Sequence, residues 1–304
     1  MNQVSLSARS FSRSLIACLL ICLVSSTAMP VAAFGQPKEL LIGIEPEHNI
    51  FDQVERYRYL ADYLSNQIGV KIKLTIMSRY GEVIKRFKVL KLDGAFLTPY
   101  TATLGIKELQ LEPVANPVNL NGESTSQGYI FVRKDSSIKN FLTMKGGSIV
   151  FVDPATMEGF LFAVAFLHQH GVTDINDYFS RYYFSGSNES AIYAVLDGRA
   201  DIGSAKNTAY NNLVNKDPSI GQELEIIARS PKVPEITLCI KSEIDQDLRQ
   251  KLSNALLQMD KTPEGMKVLQ KFKARRFIKS NKEDFIIVEE MAQRVMGSLT
   301  VHEK

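Results

Sequence analysis

The chain has 304 residues, 45% of them hydrophobic and 23% charged, with a formal net charge of +3. That length is enough for two lobes with full apolar cores. A charge balance so near zero leaves no electrostatic footprint for nucleic acid.

The N-terminus reads as an export signal. Arg9 and Arg13 supply the positive charge, and Leu15–Ser25 is an apolar run too short for an ordinary membrane span. Val31-Ala32-Ala33 is the small-residue cleavage site, placing the mature start at Phe34, with cleavage after Gly35 as the second choice. A lipidated start at Leu15-Ile16-Ala17-Cys18 is disfavoured, because only Ser14 separates Arg13 from that motif. The mature chain keeps about 270 residues and a charge near +1. Cys18 and Cys22 leave with the signal, so Cys239 stands alone and no internal disulfide is expected. Cys239 lies in the apolar run Ile236–Ile240 and reads as a buried strand residue. No later segment approaches 18 unbroken apolar residues, so a soluble exported protein is expected.

The mature chain opens with a predicted strand at Glu39–Ile44 and a loop at Glu45–Asn49. Apolar residues at helical spacing predict a helix over Val54–Ile68, stopped by Gly69. Val70–Ile76 alternates as a strand would. Tyr80–Leu90 is read as a helix, Gly94–Leu97 as a short buried strand, Thr98–Tyr100 as its exit loop, and Thr101–Glu108 as the next helix. Leu111–Val118 and Tyr129–Val132 read as strands, and Ser137–Met144 as a short helix. Strands at Ile149–Val152 and Tyr182–Phe184 each run into a small-residue polar loop, Asp153–Gly159 and Ser185–Ser190. Each loop opens into an amphipathic helix. The pattern returns to strand near Glu225–Ala228 and Glu235–Ile240. Helices follow at Leu248–Met259, at Thr262–Phe272 with Thr262 as N-cap and Pro263 as its first residue, and at Asp284–Met296. The basic run Lys271–Arg276 is placed on the exposed face of a C-terminal helix.

Strand, loop and helix in alternation imply an α/β chain with open, largely parallel sheets. In such sheets ligands sit at the carboxyl ends of strands, where helix N-termini aim N–H groups outward. Two βα groups followed by a return to the first predict two lobes joined by a two-segment hinge. The expected division is 38–130 plus 232–304 for the first lobe and 131–231 for the inserted second lobe, after the signal at 1–33.

The ordered pieces G-I-E-P, R-Y-G-E-V-I, L-D-G-A-F-L-T-P-Y, G-Y-I-F-V-R-K-D-S, V-D-P-A-T-M-E-G-F-L, F-S-G-S-N-E-S-A-I-Y-A-V, G-R-A-D-I-G and T-P-E-G together resemble one family. It is that of the phosphate/phosphite/phosphonate ABC-transporter substrate-binding proteins, with the type II periplasmic-binding fold. The resemblance spans roughly Leu40 to Phe277. It implies a periplasmic protein whose two lobes close on a small, oxyanion-like ligand and deliver it to an ABC permease, with no cofactor and no metal. Tyr80 and Tyr129 match tyrosines that contact ligand, and Thr98 and Tyr100 fall on a loop facing the cleft. The family's D-P-x-S-T-S-G anion loop is Asp153-Pro154-Ala155-Thr156-Met157-Glu158-Gly159 here. Thr156 keeps one hydroxyl, while Met157 and Glu158 replace two others. The family's G-S-H-D is Gly186-Ser187-Asn188-Glu189, so Ser187 and Asn188 complete the candidate set. Acidic residues that hold an amine in the family fall near Ala209 and Ile236, which carry no charge. These departures predict poor binding of 2-aminoethylphosphonate. A carboxylate at Glu158 repels a nearby anion by several kcal/mol at an effective dielectric of about 20. Two readings follow: Glu158 turns outward as a helix-capping acid, or the ligand is not a phosphonate.

No G-x-S-x-G, P-loop, G-x-G-x-x-G, H-E-x-x-H or paired-cysteine motif is present, so no enzymatic activity is expected. His168 and His170 suit a helix C-terminus better than a metal site. His48, in the first cleft-facing loop, and Glu45 are further candidates for ligand contact. A monomer is expected. The alternative function is a periplasmic sensory receptor that reports ligand occupancy to a membrane kinase or cyclase.

Overall fold

The structure is a computed structural model and describes residues 39–47 and 50–296. The export signal and His48 lie outside the described residues. In the first lobe, β1 (Glu39–Ile44) pairs in parallel with β2 (Lys71–Ile76) and β3 (Gly94–Leu97). On the other side of β3 lie β4 (Leu111–Asn119), β12 (Thr237–Lys241) and β13 (Ala274–Lys279), giving the order β13-β4-β12-β3-β1-β2. Helix α1 (Ile50–Ile68) buries Tyr57, Leu60, Ala61, Leu64 and Ile68, the stripe that helical spacing allows. Gly69, at φ +70°, lets the chain leave the helix and turn back into β2. The stripe packs on Leu40, Ile42 and Ile44 together with Leu248, Leu252 and Leu256 of a later helix.

The second lobe is a five-stranded sheet: β10 (Leu224–Arg229), β6 (Gly128–Arg133), β9 (Ile202–Lys206), β7 (Ser148–Phe151) and β8 (Arg181–Phe184), in that order. β7 is parallel to β8 and β9, whereas β6 runs antiparallel to β9 and β10. Both sheets are therefore mixed rather than wholly parallel. Two of the segments that cross between the lobes pair as a small antiparallel ladder of β5 (Thr125–Ser126) and β11 (Val233–Pro234).

Local expectations fail in three places. Tyr80 lies in a turn, and α2 starts only at Val83 (Val83–Leu90). Ser137–Met144 contains one 3₁₀ turn, Phe141–Thr143, capped by Asn140. The run Lys271–Arg276 is not helical throughout. A helix at Pro263–Phe272 ends at Lys273 in the left-handed region, φ 63°. Ala274 then opens β13, because β4 offers an edge whose backbone groups need partners. The expected Thr262 cap is present, its hydroxyl accepting from Gly265 N at 3.0 Å. Residues 232–304 were assigned to the first lobe from the sequence. The last helix, Ile286–Met296, instead places Val288, Met291, Ala292 and Val295 in the apolar cluster of Ile130, Phe151 and Phe162. Cys239 is buried in the first lobe, as expected, and burial pushes its thiol far above the usual range.

The second sheet is tightest at Gly203. A Cβ there would lie 2.6 Å from the Phe131 ring and 2.8 Å from Val195. Phe131 is itself fully buried, so the ring has nowhere to go. Gly203→Ala is expected to destabilise the protein by about 1–3 kcal/mol. Urea unfolding should show this as a lower midpoint with an unchanged slope.

Candidate ligand-binding cleft

The carboxyl ends of β1, β3, β7 and β9 converge, and each delivers a polar residue. Beyond β1 come Glu45 and Glu47. β3 leads into Thr98, the N-cap of helix α3 (Pro99–Leu109). β9 ends on Lys206. Beyond β7 the loop through Asp153 enters a π-helical turn at Met157–Leu161, a device frequent at functional sites.

Lys206 is the centre of this arrangement. Its Nζ lies 2.7 Å from Glu47 Oε1 in the first lobe and 2.7 Å from Glu235 Oε2 in the segment after β11. All three side chains are nearly buried. Burial alone would lower the lysine's pKa. Glu235, Glu47 and Glu158 together instead hold it well above its usual value, so the ammonium stays charged. Its backbone N–H donates to Asn188 Oδ1 at 2.8 Å, which ties the end of β9 to the helix Asn188–Leu196.

Glu158 turns inward. It is 3% exposed, and its Oε1 accepts a hydrogen bond from Ser126 Oγ of β5 at 2.6 Å. The outward-capping reading is thereby overturned: the hinge-strand hydroxyl offers a partner at this depth, so the carboxylate does not need solvent. Burial raises its pKa, while Lys206 and the Ser126 hydroxyl pull it back.

Glu45 is fully buried. Its Oε2 accepts from Thr98 N at 2.8 Å and from Thr101 Oγ1 at 2.5 Å, filling the N-terminus of α3 with a carboxylate from the chain itself. Its Oε1 has no hydrogen-bond partner among the described residues. Burial pushes the group from 4.5 to about 7, against the Thr101 and Thr98 hydrogen bonds that lower it and with a small push from Glu47.

The candidates from the sequence separate. Tyr80 and Tyr129 meet in one buried cluster with Val152 and Phe131, although Tyr80 belongs to the first lobe. The turn carrying Tyr80 comes so close that a Cβ on Gly81 would lie 2.8 Å from Ala155. Tyr129 packs edge-on against Tyr210, with the Arg229 guanidinium 5.4 Å over its ring. Asn188 joins Lys206, as above. The other positions serve the fold. Met157 is fully buried in the second apolar cluster, and Tyr100 packs against that same cluster. Thr156 Oγ1 donates to Asp153 O at 2.7 Å, within its own loop. Thr98 serves Glu45 and shares a 3.0 Å hydroxyl contact with Thr101. Ser187 caps its helix, Oγ accepting from Ser190 N at 3.1 Å.

Sequence reasoning missed Glu47, Lys206 and Glu235. One residue before Ile236, where the sequence shows no charge, Glu235 is buried on Lys206. The available signal was a lone lysine closing the small-residue strand G-S-A-K. His170 is a structural residue, stacked on Phe141 at 4.2 Å. Among the described residues no group of three or more His, Cys, Asp or Glu side chains could hold a metal.

Two measurements probe this cluster. Lys206→Met leaves Glu47 and Glu235 buried without their cation, and is expected to cost about 3–5 kcal/mol of stability at neutral pH. Glu45 works in the opposite sense to a salt-bridged acid. Its folded pKa lies above its unfolded value, so folding takes up a proton and stability falls as pH rises from about 4.5 through about 7. Glu45→Gln should flatten that slope, which is worth up to about 3 kcal/mol between pH 4 and pH 8. Urea titrations at several pH values read both effects.

Known proteins give this geometry its context. Residues 42–285 match the family model described as ABC transporter, phosphonate, periplasmic substrate-binding protein. The Phosphate-import protein PhnD of Mycolicibacterium smegmatis is 24% identical over 247 residues, 78% of this chain and 77% of its own length. The phosphonates-binding periplasmic protein of Escherichia coli is 24% identical over 276 residues, covering 88% and 80%. The structure of PhnD1 from Prochlorococcus marinus in complex with methylphosphonate superposes with a TM-score of 0.74 at 20% identity, covering 86% of this chain and 99% of that one. The two-lobed α/β fold is shared with these proteins, and the chain belongs to the family of periplasmic substrate-binding proteins of phosphonate ABC transporters.

Proposed function

We propose that this chain captures a small oxyanion-bearing solute between its lobes and passes it to an ABC permease. The observation that carries the reading is the Lys206 ammonium. It projects from the second lobe to Glu47 of the first, at the strand ends where α/β sheets hold ligands. Tyr80, Tyr129 and Asn188 surround the same region and correspond to the family's contact positions. Lys206 is the cation that would meet the anionic head of a solute, exchanging a carboxylate partner for the solute's oxyanion. The buried carboxylate of Glu158 sets a limit: a full phosphonate dianion beside it is repelled, so a head of lower charge fits better.

The moving bodies are taken as the two sheets, hinged at the β5–β11 ladder. The Ser126–Glu158 hydrogen bond links the hinge to the loop after β7. The protein works as an exported monomer cleaved near Ala33, and it performs no chemistry on the solute.

Titration calorimetry and thermal melting of the chain starting at Phe34, with phosphite, phosphate and methylphosphonate, test the reading. A ligand that binds only the native form raises the melting temperature. At least one of the three should do so. Tyr80→Ala, which removes the first lobe's aromatic insertion into the second, should weaken its binding by about tenfold or more, roughly the value of one buried contact. No binding by any of the three, or unchanged affinity in the variant, would contradict it.

A further inference from the structure

Four carboxylates are buried or nearly buried here: Glu47, Glu158 and Glu235 act on the Lys206 ammonium, and Glu45 lies two positions before Glu47. Three of them have identified partners: Glu47 and Glu235 share Lys206, and Glu158 has Ser126. Glu45 differs. Thr98 and Thr101 anchor its Oε2 and so fix the direction of the carboxylate, while its Oε1 remains fully buried with no donor among the described residues. Glu45 follows the last residue of β1, two positions before Glu47, and its charge acts on both Glu47 and Tyr80. A buried acceptor that lacks a partner is costly, and a solute enclosed beside it can supply one.

We propose that the solute must itself carry a hydrogen-bond donor, an acidic O–H or an N–H⁺, for the unpaired oxygen of Glu45, and that oxyanions without such a donor are rejected. The inference rests on the reading of this cleft as an oxyanion-capturing site and adds its selectivity. A donor-free oxyanion would leave Oε1 unpaired and add negative charge among carboxylates. A donor-bearing one satisfies the acceptor while its oxygens turn to Lys206. Glu45 thereby acts as a specificity-determining residue, and the same rule covers both sources of the donor.

Matched pairs separate the sources. Phosphate and sulfate have the same shape, but only phosphate retains an O–H. 2-Aminoethanesulfonate and ethanesulfonate differ by one ammonium. Below its pKa Glu45 carries a proton itself and could donate to a bare oxyanion. Calorimetry is therefore run at about pH 8.5, where the carboxylate is mostly ionised. Glu47, Tyr80 and the buried Cys239 thiol are the titratable groups that interact with Glu45 there, and Thr98 and Thr101 are its donors. In at least one pair the donor-bearing member should bind roughly 10- to 100-fold more tightly, the value of a hydrogen bond to a charged group.

In Glu45→Gln the amide oxygen can take over the Thr98 and Thr101 donors, leaving its NH₂ at the unpaired position. The preference should then fall below about threefold or invert toward the donor-free member, an outcome that loss of packing alone would not produce. A preference under about tenfold in both wild-type pairs overturns the proposal while leaving solute capture intact. So does a variant that keeps the wild-type ratio. If none of these four solutes binds, nor any of phosphite and methylphosphonate, the oxyanion reading fails and the selectivity with it. Should the variant not fold, the wild-type pairs decide alone.

Discussion

A buried ammonium shared between two carboxylates governs the middle of this molecule. Lys206 lies where the second sheet ends, Glu47 where the first begins its exit loop, and Glu235 where the chain has just crossed between them. Taking three charges out of water costs several kcal/mol per ion, and only close mutual geometry recovers it. The arrangement therefore stands only while both lobes and the hinge hold their places. Conversely, any solute that competes for Lys206 acts on the contact between the lobes.

Around that centre the chain fills its own anion sites. Glu45 occupies the N-terminus of α3, and Glu158 lies in the first turn after the β7 loop. In the family pattern the latter loop offers hydroxyls and free N–H groups to an anion. Here its hydroxyl at Thr156 is spent on Asp153, and Met157 is turned into the core. The chain keeps the family's fold while its own carboxylates are buried at the strand ends. On the proposed reading, solute charge and proton content are the quantities on which selection turns.

The contact between lobes has an apolar part as well. Tyr80 leaves the first lobe and is buried among Tyr129, Val150 and Val152 of the second. The final helix packs its apolar face on the second lobe's core after the chain has completed the first lobe's sheet. Hinge strands, ion cluster, tyrosine and terminal helix are four separate ties between two bodies. The ion cluster is the one among them that a polar solute can exchange with directly.

Much of this was legible in the sequence. Alternation and helical spacing marked β1, α1, β3 and the two βα groups, because burial on one face imposes a period whatever the partner. The order of short motifs identified the family, and the two tyrosines it singled out, Tyr80 and Tyr129, fall in one buried cluster. The direction of Glu158 was beyond the sequence, since it depends on Ser126, 32 residues away. The same holds for Glu47, Lys206 and Glu235, whose pairing spans up to 159 residues. The start of β13, Ala274–Arg276, was read as helix, because its strand character comes from the open edge of β4 rather than from its own residues. Local patterns determined the elements and the family. The charge of the cleft was decided only when distant carboxylates were brought into one buried volume, where each one's worth depends on its neighbours.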